Sequence, residues 1–224
     1  MLDVLRASIL RAHEIEQARS RQLAHFQAES ALTARSTVVT VYSPRGGAGT
    51  STIAANLAVT LAHAAPQTRT VLVDFNAQYG TAAAMLGVKP ERTLLDLAPF
   101  LDDLGTSSAI ISNVLTPHTS GLRLLAAPTL HVGSFLSADA AASILLALRR
   151  AFGFVIVDLP SDINDGTIAA LERADHLLHV LTPDVLSVQA SRTAFDVFQQ
   201  RGIPKEVVGI VINRTNKRLE SQPR

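Results

Sequence analysis

The sequence predicts an α/β fold in which a mostly parallel sheet carries helices on both faces. Short, almost continuously apolar runs alternate with longer stretches of helical periodicity. A glycine-rich loop joins the first run to the first helical stretch, and two later runs end in an aspartate, at Asp74 and Asp158. Strands that are covered on both faces are apolar throughout, so this alternation is typical of a parallel sheet between two helical layers.

The elements follow in order along the chain. A β-branched run begins at Thr37, the glycine loop follows, and an alanine-rich helix is expected from Ile53 to Ala64. Ser137 is a suitable N-cap for a later helix. Further strands are expected at 70–74, 121–126, 154–157, 176–181 and 207–212, and further helices at 81–87, 93–101, 106–115, 137–152, 164–173 and 185–201.

We expect one main domain over residues 37–218, with a helical extension at 1–36 and a polar tail at 219–224. The apolar stripe of the extension is interrupted, which fits a solvated or partner-packed helix and leaves a membrane-surface helix or a coiled coil open. The chain has 224 residues and a net charge of +1, and its interspersed charges do not favour DNA binding. It has no cysteine and no apolar run of the roughly 18 residues that a membrane span needs. We therefore expect a cytoplasmic protein.

The glycine loop has the character of a phosphate-binding loop. It reads Arg45-Gly46-Gly47-Ala48-Gly49-Thr50-Ser51-Thr52. Its glycines permit positive φ and a close approach to a phosphate, while the N-terminus of the following helix favours an anion. Such loops end in Gly-Lys-Ser/Thr, where the hydroxyl holds Mg²⁺. Ser51 supplies that hydroxyl here, but Thr50 stands in the lysine position.

Polar residues at the ends of later strands complete a candidate site. Asp158 follows an apolar strand, as a Walker B carboxylate does, and a loop from Phe75 to Gly80 leaves the end of another strand. Loops at this edge of a parallel sheet bind ligands in open α/β folds. His176 and His179 lie three apart in a predicted strand, so they point to opposite faces and cannot share a metal ion.

Three segments, 45–56, 71–87 and 154–214, together resemble the MinD/ParA group of deviant-Walker P-loop ATPases. Within it they are most similar to the CpaE/TadZ branch, which helps to place and assemble type IV (Flp/Tad) pili. The family loop reads roughly Lys-Gly-Gly-x-Gly-x-Ser/Thr-Thr, and the CpaE/TadZ branch often lacks the P-loop lysine. The stretch VLVDFNAQYG resembles the family's Asp-x-Asp-x-Gln-x-Gly segment.

The resemblance implies that the chain binds ATP and Mg²⁺. Ser51 and Asp158 would hold the ion, Asp158 through a water molecule. Arg45 occupies the position of the family's signature lysine, which reaches the partner's phosphates in nucleotide-bound dimers. The remaining residues of the implied nucleotide site are the loop itself (Gly46, Gly47, Ala48, Gly49, Thr50 and Thr52), Asn213 and Arg214 at the adenine base, and Pro183 lining the same pocket.

Two departures from the family pattern weaken the expected hydrolysis. The catalytic Asp-x-Asp pair of the family is Asp74 and Asn76 here, and an amide cannot act as a general base. Loss of such help costs ~10²–10⁴ in rate, and loss of a charged donor such as the loop lysine costs another ~10²–10³. We expect at most a weak ATPase. Related proteins also continue past the Asn-Arg pair with another strand and helix, so this domain reads as short at its C-terminus.

The resemblance implies a nucleotide-dependent, dimerising positioning or assembly factor for a type IV pilus or secretion apparatus. We expect a homodimer with nucleotide between the subunits, pilus or secretion proteins as partners, and recruitment to the inner face of the membrane or to a cell pole. Two alternatives stay open: an active ParA/MinD-type partitioning or division-site ATPase, and a pseudo-ATPase scaffold that binds no nucleotide.

Overall fold

The computed structural model describes residues 36–76, 80–104, 108–128 and 136–215. These residues form a seven-stranded sheet with the strand order β3-β4-β2-β5-β1-β6-β7. All neighbouring strands are parallel except β3 and β4. The strands are β1 (Thr37–Tyr42), β2 (Thr70–Asp74), β3 (Thr116–Pro117), β4 (Arg123–Leu125), β5 (Phe154–Asp158), β6 (His176–Leu181) and β7 (Val208–Ile212). The predicted mostly parallel sheet is confirmed. The expected extension at 1–36, except Ser36, and the tail at 219–224 lie outside the described residues.

Helices alternate with the strands as predicted. Ser137 caps the helix that follows it, because its side chain accepts a hydrogen bond from the Ala140 N–H at 3.1 Å. The helices are α1 (Thr50–Ala64), α2 (Ala82–Met85), α3 (Ser108–Ser112), α4 (Ala138–Ala151), α5 (Asp165–Glu172) and α6 (Val185–Gln200), with 3₁₀ helices at Leu94–Phe100 and Lys205–Val207.

Between β2 and α4 the observed elements differ from those predicted from the sequence. The helix expected at 93–101 is a 3₁₀ helix that contains Pro99, a residue with no N–H to donate. The helix expected at 106–115 is described only as the short α3, and β3 was not predicted because two residues carry no periodicity. The helix after the glycine loop begins at Thr50, three residues before the predicted start.

Two hydrophobic clusters, one on each face of the sheet, form the core. Strand β5 shows the division, since Val155 and Val157 belong to one cluster and Ile156 to the other. The first cluster includes buried residues of α4, α5 and α6, and the second includes four buried alanines of α1. The predicted helical layers on both faces are therefore confirmed.

The parallel strands bring distant parts of the chain to one edge of the sheet. Asp74 and Asp158 are direct register partners on β2 and β5, and Val41 of β1 pairs with Asp158 from the other side. The glycine loop, the loop after Asp74 and the loop after β6 therefore leave the sheet at its carboxyl edge. In the described part of the chain, no helix combines the length and apolar character required to cross a membrane.

Candidate functional site

The glycine loop connects β1 to the N-terminus of α1. Gly47 and Gly49 have φ angles of 80° and 98°, so the predicted use of positive φ is confirmed. A Cβ atom added to Gly46 or Gly47 would meet nothing within 4 Å, which means that the loop leaves open space beside them. Gly49 is the N-cap of α1, a helix of 15 residues. The first N–H groups of such a helix lack intrahelical acceptors and attract an anion.

Asp158 lies next to this loop as a buried carboxylate without a partner. Its residue is 0% exposed, and among the described residues neither carboxylate oxygen has a hydrogen-bond partner. Burial raises the pKa of Asp158 to about 7, the negative charge of Asp74 adds to the rise, and the nearby Ser51 hydroxyl opposes it. The Ser51 hydroxyl thus lies near the carboxylate without forming a hydrogen bond of ordinary geometry. An unpaired buried carboxylate beside a hydroxyl suits a hydrated Mg²⁺ ion, which prefers oxygen ligands and keeps several waters.

Asp74 is buried as well, but both of its oxygens are occupied. Its Oδ1 accepts the Asn76 N–H and its Oδ2 accepts the Ala82 N–H, each at 3.0 Å. Burial raises the pKa of Asp74 to about 6, and these two backbone hydrogen bonds oppose the rise. Asp74 therefore holds both ends of the loop that follows β2. Asn76 is half-buried, and the catalytic assignment of these two residues stays a prediction.

Arg45 reaches across the carboxyl edge to the start of α6. Its guanidinium forms an ion pair with Asp184, and both side chains are partly exposed. Asp184 is the N-cap of α6, where it accepts the Ser187 N–H at 3.0 Å and the Thr182 hydroxyl at 2.6 Å. The Thr182 and Ser187 hydrogen bonds, with a smaller contribution from Arg45, hold the pKa of Asp184 below its ordinary value. In this chain Arg45 therefore has a partner within the same molecule.

Asp184 was missed in the sequence analysis. The available signal was an aspartate directly before a predicted helix, which identifies an N-cap. That signal does not reveal the ion pair, since Arg45 lies 139 positions away in the sequence.

Asn213 contacts the glycine loop directly. Its Nδ2 donates a hydrogen bond of 2.8 Å to the Ala48 carbonyl oxygen. Arg214 is exposed and has a φ angle of 57°, and Pro183 is exposed in the connection between β6 and α6. The structure thus brings Asn213 to the loop and leaves Arg214 and Pro183 accessible at the same edge.

The two histidines of β6 behave as the strand pattern predicts. His176 is exposed and His179 is buried. The ring of His179 packs against Phe195 and Phe198, its Nε2 lies 2.9 Å from the Ser191 hydroxyl, and burial lowers its pKa to about 4. A shared metal site between the two is therefore excluded, and His179 is part of the core.

Comparisons with known proteins agree with this architecture. A protein-family model described as an AAA domain matches residues 36–200. The septum site-determining protein MinD of Helicobacter pylori is 31% identical over 181 residues, which are 80% of this chain and 60% of that protein. The chain thus spans about three fifths of the length of that relative.

Two solved structures share the fold. A ParA family ATPase from Chlorobium tepidum TLS superposes with a TM-score of 0.71 and 23% identity, covering 81% of this chain and 76% of that one. MinD from Pyrococcus horikoshii OT3, complexed with Mg-ADP, gives a TM-score of 0.63 and 20% identity, covering 81% and 72%. The chain is similar in sequence to MinD and shares the fold of the ParA and MinD structures. The family match over residues 36–200 shows that the chain belongs to the AAA domain family.

Proposed function

We propose that this protein binds Mg-ATP at the carboxyl edge of the sheet. The observation that carries the proposal is the open glycine loop at the N-terminus of α1, with the unpaired Asp158 carboxylate beside it. Backbone N–H groups of residues 46–52 would hold the phosphates, and Ser51 and Asp158 would hold the ion. Binding of Mg-ADP by the Pyrococcus horikoshii MinD supports the choice of ligand.

We further propose that hydrolysis is weak. Thr50 cannot supply the positive charge of a loop lysine, and Asn76 cannot accept a proton from water as a carboxylate would. The phosphate contacts of the backbone depend on neither residue. Nucleotide is therefore bound and retained rather than turned over, which favours a long-lived nucleotide-bound state.

In this state two copies would dimerise around the nucleotide. In the proposed dimer Arg45 leaves Asp184 and contacts the phosphates of the partner. The solvent exposure of the Arg45 and Asp184 side chains, 41% and 45%, supports this exchange. Three apolar residues follow Asp184 at the start of α6 and are exposed, Val185, Leu186 and Val188, at 72%, 61% and 55%. Exposed apolar side chains next to a nucleotide site are suited to burial against a second copy.

The biological role that we propose is that of a CpaE/TadZ-type positioning or assembly factor for a type IV pilus or secretion apparatus. The missing loop lysine and the Asp74 to Asn76 segment support this branch. The domain at 37–218 would be the nucleotide-dependent unit, acting inside the cell at the inner face of the membrane, with pilus or secretion proteins as partners.

Calorimetry with Mg-ATP tests the binding proposal. We expect a dissociation constant in the micromolar range or weaker, lost in Ser51→Ala and retained in Thr60→Ala, an exposed control on the same helix. Absence of heat, together with no competition against a fluorescent ATP analogue at millimolar nucleotide, would remove the proposal and leave the scaffold that binds no nucleotide.

Analytical ultracentrifugation tests the dimer. Mg-ATP should convert the wild-type protein into a dimer, Arg45→Ala should stay monomeric, and Arg123→Ala, which changes an exposed arginine on β4, should dimerise normally. An unchanged ATP-induced dimer in Arg45→Ala contradicts the trans contact.

The alternative of an active division-site or partitioning ATPase is supported by the 31% identity to Helicobacter pylori MinD. Steady-state phosphate release separates the two. Turnover that lipid vesicles or DNA stimulate would favour the active ATPase over the assembly factor.

A further inference from the structure

Asn213 is held in a fixed orientation by contacts on both ends of its side-chain amide. Its Nδ2 donates to the Ala48 carbonyl oxygen and its Oδ1 accepts the Arg214 N–H, each at 2.8 Å. The two contacts require a donor on one side and an acceptor on the other, so they define which atom is nitrogen. The Asn213 N–H also donates to the Leu181 carbonyl oxygen at 2.8 Å, which continues the pairing of β7 with β6.

The amide packs directly on the glycine loop. A Cβ atom added to Gly49 would lie 2.4 Å from Asn213 Nδ2, closer than real Cβ contacts. Glycine is therefore favoured at position 49 for two reasons, its φ angle of 98° and the nearby Asn213 amide, which a Cβ atom would displace. Ala48, which precedes Gly49 and forms a peptide bond with it, is buried, with 3% of its surface exposed.

This contact determines the direction of one loop N–H group. In a trans peptide the C=O and the N–H of the same unit point in opposite directions. Since the Ala48 C=O points to Asn213, the Gly49 N–H points away from Asn213. The Gly49 C=O is held in turn by the Ile53 N–H at 3.0 Å, so the peptides on both sides of Gly49 are constrained.

We propose that Asn213 is a positioning residue for the phosphate loop: it connects the end of β7 to the Ala48–Gly49 peptide and keeps that N–H oriented for a phosphate. Asn213 then acts on the polyphosphate part of a nucleotide, in addition to any contact with its base. The inference rests on the proposed nucleotide binding and assigns a second role to a residue that the family resemblance places at the adenine.

The test compares Asn213→Ala and Asn213→Asp with Asn113→Ala, an exposed asparagine before β3 at the opposite end of the sheet. Asn213→Asp keeps the acceptor for Arg214 but places a second oxygen against the Ala48 carbonyl. Two quantities are measured: amide hydrogen exchange of residues 44–56 in the nucleotide-free protein, and affinities for Mg-ATP and Mg-GTP. Melting temperatures confirm that each variant is folded.

We expect faster exchange in the loop and a loss of affinity of about three- to tenfold for both nucleotides in Asn213→Ala, with an unchanged ratio between them. Asn213→Asp should lose more, and Asn113→Ala nothing. A collapse of the ATP-to-GTP ratio with unchanged exchange would make Asn213 a base-reading residue only and overturn the inference, as would wild-type behaviour in both measurements. Failure of the wild-type protein to bind either nucleotide would remove the proposed function instead, a separate result.

Discussion

Replacing Asp158 with asparagine should stabilise the metal-free protein at high pH. Burial raises the pKa of Asp158 from 3.8 to about 7, so the folded protein binds a proton there more tightly than the unfolded chain does. The stability lost to the buried carboxylate is absent below about pH 4, grows between about pH 4 and pH 7, and is constant above about pH 7. At 1.36 kcal/mol per pKa unit, a shift of about three units corresponds to about 4 kcal/mol as an upper bound.

The expected gain is smaller than this bound. The asparagine NH₂ group is a buried donor, and leaving such a group without a partner costs about 1–3 kcal/mol. We therefore expect Asp158→Asn to raise the free energy of unfolding by about 1–3 kcal/mol at pH 8 in EDTA. At pH 4.5 the linkage cost in the wild type is only about 1 kcal/mol. The unpaired NH₂ group of the variant offsets it, so the variant should gain nothing there.

Asp74→Asn is the matched control, because Asp74 is the register partner of Asp158 on the neighbouring strand. Both Asp74 oxygens accept backbone N–H groups, so an amide there would set one donor against another and cost about 1–3 kcal/mol. This cost offsets the relief of charge, and the control should show no gain at pH 8.

Urea unfolding at pH 4.5 and pH 8 in EDTA measures both variants against the wild type. The reasoning is refuted if wild type and Asp158→Asn show the same pH dependence of the unfolding free energy. Addition of Mg-ATP extends the experiment: it should stabilise the wild type and leave Asp158→Asn unchanged, since the variant lacks the carboxylate proposed for the ion.

Three further predictions concern the loop and its neighbours. Asp184→Asn should weaken the ion pair with Arg45 and make the ATP-induced dimer form at lower protein concentration, which sedimentation measures; a weaker dimer would show that Asp184 assists the trans contact. The double change of Thr50→Lys with Asn76→Asp should raise steady-state ATP turnover by at least about 10²-fold over wild type, because it restores a charged donor and a general base. An unchanged rate would show that another step limits turnover. Gly49→Ala should destabilise the protein by about 2–3 kcal/mol in urea, from positive-φ strain and a displaced Asn213 amide; a change below about 0.5 kcal/mol would contradict the close packing.

The sequence was sufficient for the elements whose signals are local. Strand β5, with an apolar residue at nearly every position, and the helix capped by Ser137 were predicted within a residue or two. The 3₁₀ helix that contains Pro99 and the two-residue β3 were not, because a short apolar pattern does not distinguish an α-helix from a 3₁₀ helix and two residues have no period.

In the candidate site, too, some features could be predicted from the sequence and others could not. The glycine loop was visible because its residue types are contiguous and each type restricts the backbone. The different environments of Asp74 and Asp158 were not visible, although both follow apolar strands. Burial acts on both carboxyls, but the chain returns two N–H groups to Asp74 and none to Asp158 among the described residues.

By itself, the sequence determined the alternation of strands and helices, the positive-φ loop and the helix N-terminus behind it, since each depends on neighbouring residues. Only the tertiary structure decided which residues meet at the carboxyl edge. Asn213 reaches Ala48 across 165 positions and Arg45 reaches Asp184 across 139. The physical reason is the parallel sheet, which sets the ends of strands from distant parts of the chain side by side, a few ångströms apart.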